Sequence, residues 1–215
     1  MPSLTGRLQR CYSGAVYDVL REMGHRECVL PYNVRPLDPK IKLAGPVWTC
    51  SGAPKEGLSA DDSLLSWTGL LSAAPKDSVL VCQPNDSTIA HMGELSAETL
   101  KVRGVLGYIV DGGCRDVDFI LDIEFPVFCR YNTPKDVVER WQVETMGQPI
   151  RIGDITINPG DYILGDIDGI VVIPSDLAKS VITRTEEVMS TESELRAAIL
   201  SGTDPKEAYL KYRLF

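Results

Sequence analysis

The sequence predicts an α/β fold built as a single domain over residues 1–215, and three observations predict it. Short apolar, β-branched runs (VLVC from Val79, Val105 to Val110, PVFCRY from Pro126) alternate with stretches of helical periodicity. The segment Pro149 to Pro174 packs several short apolar runs between tight turns, the pattern of a compact antiparallel or barrel-like β layer. No internal repeat, low-complexity tract or linker divides the chain, and an apolar content of 44% is enough for a sizeable core.

In order, Ser13 is expected to cap a helix to about Met23, with Val16, Val19, Leu20 and Met23 on one face and Gly24 as the stop. Prolines punctuate the chain from Pro31 to Pro39. Leu43 to Cys50, interrupted by Gly45-Pro46, reads as an edge strand, and Ser51 to Gly57 as loop. Ser59 caps the next helix with Asp62 three residues on, and Leu64, Leu65, Trp67, Leu70 and Leu71 supply its buried face. Ser78 to Gln83 is apolar enough to be a central strand.

Gly93 opens a helix from Leu95 to about Arg103, with contacts at Leu95, Thr99, Leu100 and Val102 and a left-handed stop at Gly104. A buried strand, Val105 to Val110, then runs into the turn Asp111-Gly112-Gly113. That turn delivers Cys114, Arg115 and Asp116 at the strand's carboxyl end, where α/β proteins usually bind ligands. Pro126 to Tyr131 is a further strand, and Thr133-Pro134 reads as a helix start. Ser175 caps a long helix to about Leu200, Gly202 ends it, and Thr203-Asp204-Pro205 opens a last helix to Tyr212. Together they form a C-terminal helical extension over about 175–215.

Composition excludes several functions. A formal net charge of −8 and no basic run leave no electrostatic footprint for nucleic acid. No apolar stretch approaches the roughly 18 residues of a membrane span, and the first residues lack a signal-peptide core, so a cytoplasmic protein is expected. Six scattered cysteines with no CxxC pair read as small buried hydrophobes. Two histidines, His25 and His91, cannot build a three-histidine zinc site. A methyltransferase is disfavoured, because no Gly-rich loop with a following acid is present.

Candidate chemistry centres on Glu94, Arg115 and Asp116. Two carboxylates and a guanidinium in one crevice suit a hard divalent cation, held by one carboxylate directly and another through water, with Arg115 for a substrate oxyanion. The plainer alternative has Asp116 capping the helix that follows and Arg115 in a surface ion pair. The amides of Leu95 and Ser96, after Gly93, can seat a carboxylate. Asp111 is either a second metal-facing acid or a turn residue, and His91 either reaches the crevice or is structural. Cys114 is either an activated thiolate or a small turn residue. Asp18 reads as a helix-surface or structural residue, and the acids Glu186, Glu187, Glu192 and Glu194 as a solvated face.

The GEL-x-A start at Gly93, the twenty residues between Glu94 and Arg115, GYIVDGGCRD and the following FPVF resemble one known family. YSGAVYDVL, KLAGPVWT and GDYILGDIDGIVVIP extend the resemblance over most of the chain. It is the family of the metal-dependent 4-hydroxy-4-methyl-2-oxoglutarate / 4-carboxy-4-hydroxy-2-oxoadipate aldolases and of the ribonuclease E activity regulator protein A. The resemblance implies a layered β/β/α swivelling-type sandwich, a homotrimer or homohexamer, and a class II pyruvate aldolase that uses Mg²⁺ or Mn²⁺ and also decarboxylates oxaloacetate. By the same resemblance Asp116 ligates the metal, and Glu94 acts on it through water. Glu192 of a neighbouring subunit does likewise, Arg115 contacts the keto or enolate oxygen, and Gly93, Leu95 and Ser96 bind the pyruvyl carboxylate. Regulator-type members lack an acid at the Glu94 position, so Glu94 favours an enzyme over a non-catalytic protein-binding regulator. Specificity is expected from the loop Ser51 to Gly57 and the segment around His25 to Arg35.

Overall fold

The computed structural model describes residues 2–213. In chain order the elements are α1 (Leu4–Leu8), α2 (Ser13–Glu22), β1 (Arg35–Pro36), β2 (Leu43–Pro54), α3 (Ala60–Ala73), β3 (Val79–Gln83), α4 (Glu94–Val102) and β4 (Gly107–Val110). There follow β5 (Gly113–Cys114), α5 (Val117–Asp122), β6 (Val127–Cys129), β7 (Tyr131–Asn132), β8 (Trp141–Met146), β9 (Ile150–Ile152) and β10 (Ile155–Ile157). The last elements are β11 (Tyr162–Asp166), β12 (Gly169–Ile173), α6 (Ala178–Leu200) and α7 (Pro205–Tyr212).

The fold is mixed α/β around one large mixed sheet, ordered β1-β6-β4-β3-β2-β11-β12, with β8 also paired to β2. β2, β3, β4 and β6 run parallel, whereas β1, β8, β11 and β12 are antiparallel to their neighbours. Parallel neighbours need crossovers, and α3, α4 and α5 supply them. Because successive strand residues face opposite sides, one run feeds two cores. Leu80, Cys82, Tyr108, Val110 and Val127 join Trp67, Leu70, Ala97 and Leu100 on the helical face. Val79, Val81, Ile109 and Phe128 pack instead against Ile150, Ile152, Ile155 and Ile157 of the β9–β10 hairpin. A third core joins α1, α2 and α6 to Leu164, Val171 and Ile173.

Several local expectations change. Leu43–Pro54 is an internal strand and not an edge. β3 pairs along one side of it, β11 and β8 share the other, and Ser51–Pro54 belong to the strand rather than to a loop. The β11–β12 hairpin joins this sheet instead of forming a separate layer, while β9 and β10 pair only with each other. Thr133-Pro134 starts no helix. Asp136 Oδ1 accepts from the Val138 amide at 3.2 Å, and Glu139 takes a positive φ of 60°, so the segment turns. Leu64, Leu65, Leu95 and Val102 are exposed, and Ala97 with Leu100 anchors α4. Ser59 and Asp62 form the expected capping box on α3, and Asp204-Pro205 opens α7 as expected. The final helix of the extension ends at Tyr212, and Leu214 and Phe215 lie outside the described residues.

Neither Ser13 nor Ser175 caps its helix. Tyr12 is the N-cap residue of α2, and Leu177 is that of α6. Ser13 is instead tied to Asp166 at the end of β11. The buried Asp166 carboxylate accepts from the Ser13 amide at 2.8 Å, the Ser13 hydroxyl at 2.7 Å and the Asp168 amide at 3.0 Å. Hydrogen bonds to a charged group are worth about 1.5–3 kcal/mol each, and orphaned donors add their own cost. Asp166→Ala is therefore expected to lower the unfolding free energy by about 2–4 kcal/mol in urea titrations. A loss below about 1 kcal/mol would mean that this carboxylate does not anchor α2.

Candidate active site

Three loops leave the carboxyl ends of β3, β4 and β6, and backbone hydrogen bonds fasten them side by side. Ala90 and Gly113 form a parallel bridge, the His91 amide donates to Gly113 O at 2.8 Å, and the Arg115 amide donates to Met92 O at 2.9 Å. On the other side β5 pairs parallel with β7, and the Thr133 amide donates to Cys114 O at 3.0 Å. The Ala90 amide closes the set onto Lys135 O at 2.8 Å. A side chain on Gly113 would stand 2.5 Å from Ile89 O, so only glycine lets these segments approach.

This ladder sets Gly93-Glu94 against Arg115-Asp116. Asp116 takes a left-handed conformation (φ 56°, ψ 40°), which aspartate tolerates better than most residues. It occupies the N-cap position of α5 but makes no capping bond there. Its Oδ2 instead accepts from the Glu94 amide at 3.2 Å and lies 3.4 Å from Arg115 Nε. Arg115 Nη1 in turn lies 3.4 Å from Asp136 Oδ2, so the guanidinium spans two carboxylates. The Leu95 and Ser96 amides sit in the first turn of α4, where a helix provides no acceptor. Trp67 Nε1 donates to the Ser96 hydroxyl at 2.8 Å, tying α3 to that turn. These groups border one cleft of roughly 400 Å³.

Residues 13–172 match the RraA-like family, described as aldolase/RraA. The chain belongs to that family. It is 31% identical over 215 residues to Protein DlpA of Legionella pneumophila, and it spans about a third (34%) of DlpA's length. It is 28% identical to a Halalkalibacterium halodurans protein provisionally named 4-hydroxy-4-methyl-2-oxoglutarate aldolase, over 85% of this chain and 83% of that one. Its fold superimposes on Streptomyces coelicolor RraAS2, described as an unusual member of the RNase ES inhibitor RraA protein family. There the TM-score is 0.81 at 26% identity, covering 92% of this chain and 99% of that one.

In this RraA-like chain the cleft gathers Gly93, Glu94, Leu95, Ser96, Arg115 and Asp116, every site residue expected from the sequence except Glu192. Glu192 lies on α6, where Tyr12 donates to its carboxylate, and it does not line this cleft. Asp136 is the residue sequence reasoning missed. It stands in the segment misread as a helix, and an aspartate able to form the Asx turn Asp136-Val137-Val138 was the signal that could have found it. Neither Ser51 to Gly57 nor His25 to Arg35 lines the cleft, whose far wall is α3.

Of the remaining candidates, Asp111 and Cys114 do not line the cleft, whereas His91 does. Asp111 faces Arg130 at 3.4 Å in a different depression, and burial raises its pKa against the pull of that arginine. Cys114 is buried, and its hydrogen bond with Cys129 together with burial pushes its thiol pKa far up, which is the reverse of an activated thiolate. Among the described residues, buried His91 has no hydrogen-bond partner for either ring nitrogen; it lies edge-on to Trp141, ring centroids 5.3 Å apart, with Asp86 Oδ1 3.8 Å from Nε2. A separation of 3.8 Å is no hydrogen bond, so Asp86 does little to hold a charged ring in this buried place. Burial lowers its pKa to about 4, and Asp86 only partly opposes this.

A divalent cation fits the donor set in one particular way. Among the described residues, no three His, Cys, Asp or Glu side chains stand close enough to enclose a metal. The cleft is lined by the carboxylates of Glu94, Asp116 and Asp136, and Asp116 Oδ2 accepts from the Glu94 amide. That arrangement suits a hard cation keeping most of its waters and does not suit a zinc-type cage.

Two outcomes are expected. In Gly93→Ala the new methyl would lie 2.7 Å from Asp116 Oδ2 and 3.2 Å from Arg115 Nε. Calorimetric Mn²⁺ affinity should fall at least about tenfold, the scale of a disturbed supporting contact, and unchanged affinity would count against Asp116 as ligand. His91 protonates more readily unfolded than folded, so its contribution is intact above about pH 6.5 and is lost as the pH falls toward about 4. His91→Leu should flatten the stability-against-pH slope across that window in chemical denaturation, and an unchanged slope would contradict a neutral buried ring.

Proposed function

We propose that the protein is a divalent-metal-dependent lyase of the class II pyruvate aldolase type. It cleaves 4-hydroxy-2-oxo acids, such as 4-hydroxy-4-methyl-2-oxoglutarate, to pyruvate, and also decarboxylates oxaloacetate. The observation that carries this reading is the meeting of Glu94, Arg115 and Asp116 at the open N-terminus of α4, in one cleft. The family match and the provisional aldolase name of the Halalkalibacterium halodurans relative support the same class.

Asp116 is the direct ligand for Mg²⁺ or Mn²⁺, Glu94 acts through water, and Glu192 of a neighbouring subunit completes the set in a homotrimer or homohexamer with the family's β/β/α swivelling-type architecture. When bound, the cation supplies Lewis acidity toward the substrate's keto and carboxylate oxygens. The Leu95 and Ser96 amides orient the pyruvyl carboxylate, aided by the dipole of α4. Arg115, held by Asp116 and Asp136, faces the oxygen on which enolate charge develops. Glu94 is the group that moves the proton of the distal hydroxyl, through water. A rival reading, a non-catalytic regulator, draws on the similarity to RraAS2. It leaves Glu94 without a task.

The test is a coupled assay for pyruvate with Mg²⁺ or Mn²⁺, using oxaloacetate, 4-hydroxy-4-methyl-2-oxoglutarate and 4-hydroxy-2-oxopentanoate. Asp116→Ala should abolish release, and Arg115→Ala should cost about 3–4 kcal/mol in kcat/KM, as for a lost oxyanion donor. If wild-type protein releases pyruvate from none of the three, the lyase reading fails. Metal-independent binding to a ribonuclease, indifferent to Glu94→Ala, would support the rival.

A further inference from the structure

Arg115 stabilises the developing oxyanion in the lyase reading, so what aims its guanidinium matters as much as its charge. Its stem is set by close packing: a methyl group on Gly93 would stand 3.2 Å from both Cγ and Nε of Arg115. The head is gripped at two separate atoms. Nε lies 3.4 Å from Asp116 Oδ2, and Nη1 lies 3.4 Å from Asp136 Oδ2. A single contact would leave the planar group free to pivot, whereas contacts to two of its nitrogens fix its plane.

The two carboxylates are not equivalent. Asp116 Oδ2 also accepts from the Glu94 amide, and Asp116 is the expected cation ligand. A carboxylate that shares its charge with a divalent ion attracts a guanidinium less, and two positive groups beside it repel each other. Asp136 is anchored differently, on the loop after β7. There Lys135 O accepts from the Ala90 amide at 2.8 Å, and the Ser63 hydroxyl of α3 accepts from the Glu139 amide at 2.9 Å. Asp136 Oδ1 holds the turn through the Val138 amide, which leaves Oδ2 to meet the guanidinium. Both side chains of the pair are more than a third exposed, so the contact adds little to stability, and its effect is on direction.

We propose that Asp136 is the positioning residue of Arg115 in the metal-loaded protein. It keeps the guanidinium turned toward the oxygen on which negative charge develops, at the stage where Asp116 is engaged elsewhere and holds the arginine less well. For its chemistry this rests on the lyase reading, whereas the coupling of Asp136 to Arg115 can be read from binding alone.

The test is a double-mutant cycle on the full chain. Asp136→Asn removes the charge and keeps an oxygen for the Val138 amide, so the turn survives. The probe is oxalate, whose oxygens stand in for those of a pyruvate enolate, titrated calorimetrically at saturating Mn²⁺. The ion chelates oxalate by itself, so binding stays measurable in Arg115→Ala. Asp136→Asn should weaken oxalate at least about tenfold where Arg115 is present, the low end for a supporting partner. In Arg115→Ala it should cost less than about threefold, the non-additivity of a residue that acts through another. A residue that only supported the fold would cost the same in both backgrounds. In the coupled oxaloacetate assay Asp136→Asn should lower kcat with KM changed less than about threefold, and Asp136→Glu should recover part of the loss. Equal losses of oxalate affinity in both backgrounds, no loss in either, or no oxalate binding by the wild-type protein overturns the inference. The expected cycle with no pyruvate released from any substrate overturns the lyase reading and leaves Asp136 its role.

Discussion

The close approach of Asp116 to the start of α4 is the contact on which the rest of the site depends. It brings a carboxylate to a helix N-terminus, 3.2 Å from the Glu94 amide, where dipole and free N–H groups favour negative charge. Two backbone features make it possible. Gly93 has no side chain to stand between them, and Asp116 accepts a left-handed conformation that turns its carboxylate back toward α4 and away from its own helix. A left-handed non-glycine residue costs on the order of 1 kcal/mol and persists where its surroundings over-determine it. Here the ladder of hydrogen bonds from Ala90 to Lys135 does so.

That ladder is itself a consequence of the sheet. β3, β4 and β6 are parallel neighbours, so their following loops emerge on one edge and in register. Both faces of these strands are buried, one under α3, α4 and α5 and the other under the β9–β10 hairpin. The loops are thus carried by the most enclosed part of the molecule, which is where geometry is held most closely. They bring Glu94, Asp116 and Asp136 together around Arg115, where a bound cation would balance the carboxylates.

Much of this was legible in the sequence. The apolar runs at Val79 and Val105 identified the central strands, Ser59 with Asp62 identified a cap, and the helix start at Gly93 with the strand end after Val110 pointed to one crevice for Glu94, Arg115 and Asp116. What failed did so for local physical reasons. Pro46 suggested an edge, yet β2 is long enough to share one side between β11 and β8 and is internal. Ser13 resembled a cap, but its hydroxyl is claimed by a carboxylate 153 positions away, a partner no local window contains. Thr133-Pro134 carried a helix signature that the Asp136 turn overrides. Leu64 and Leu65 suited a core stripe, while the face of α3 that meets the sheet is that of Trp67 and Leu70. Asp136 escaped notice because only the folded chain sets it beside Arg115.

The most direct measurement is a crystal structure of the protein grown with Mn²⁺ and pyruvate, with the ion located by anomalous scattering. The account expects one ion about 2.1 Å from an Asp116 oxygen, a distance typical of small hard cations. Waters should lie between it and Glu94, the pyruvate carboxylate on the Leu95 and Ser96 amides, and the keto oxygen toward Arg115. An ion bound elsewhere, or pyruvate outside the cleft, would contradict it.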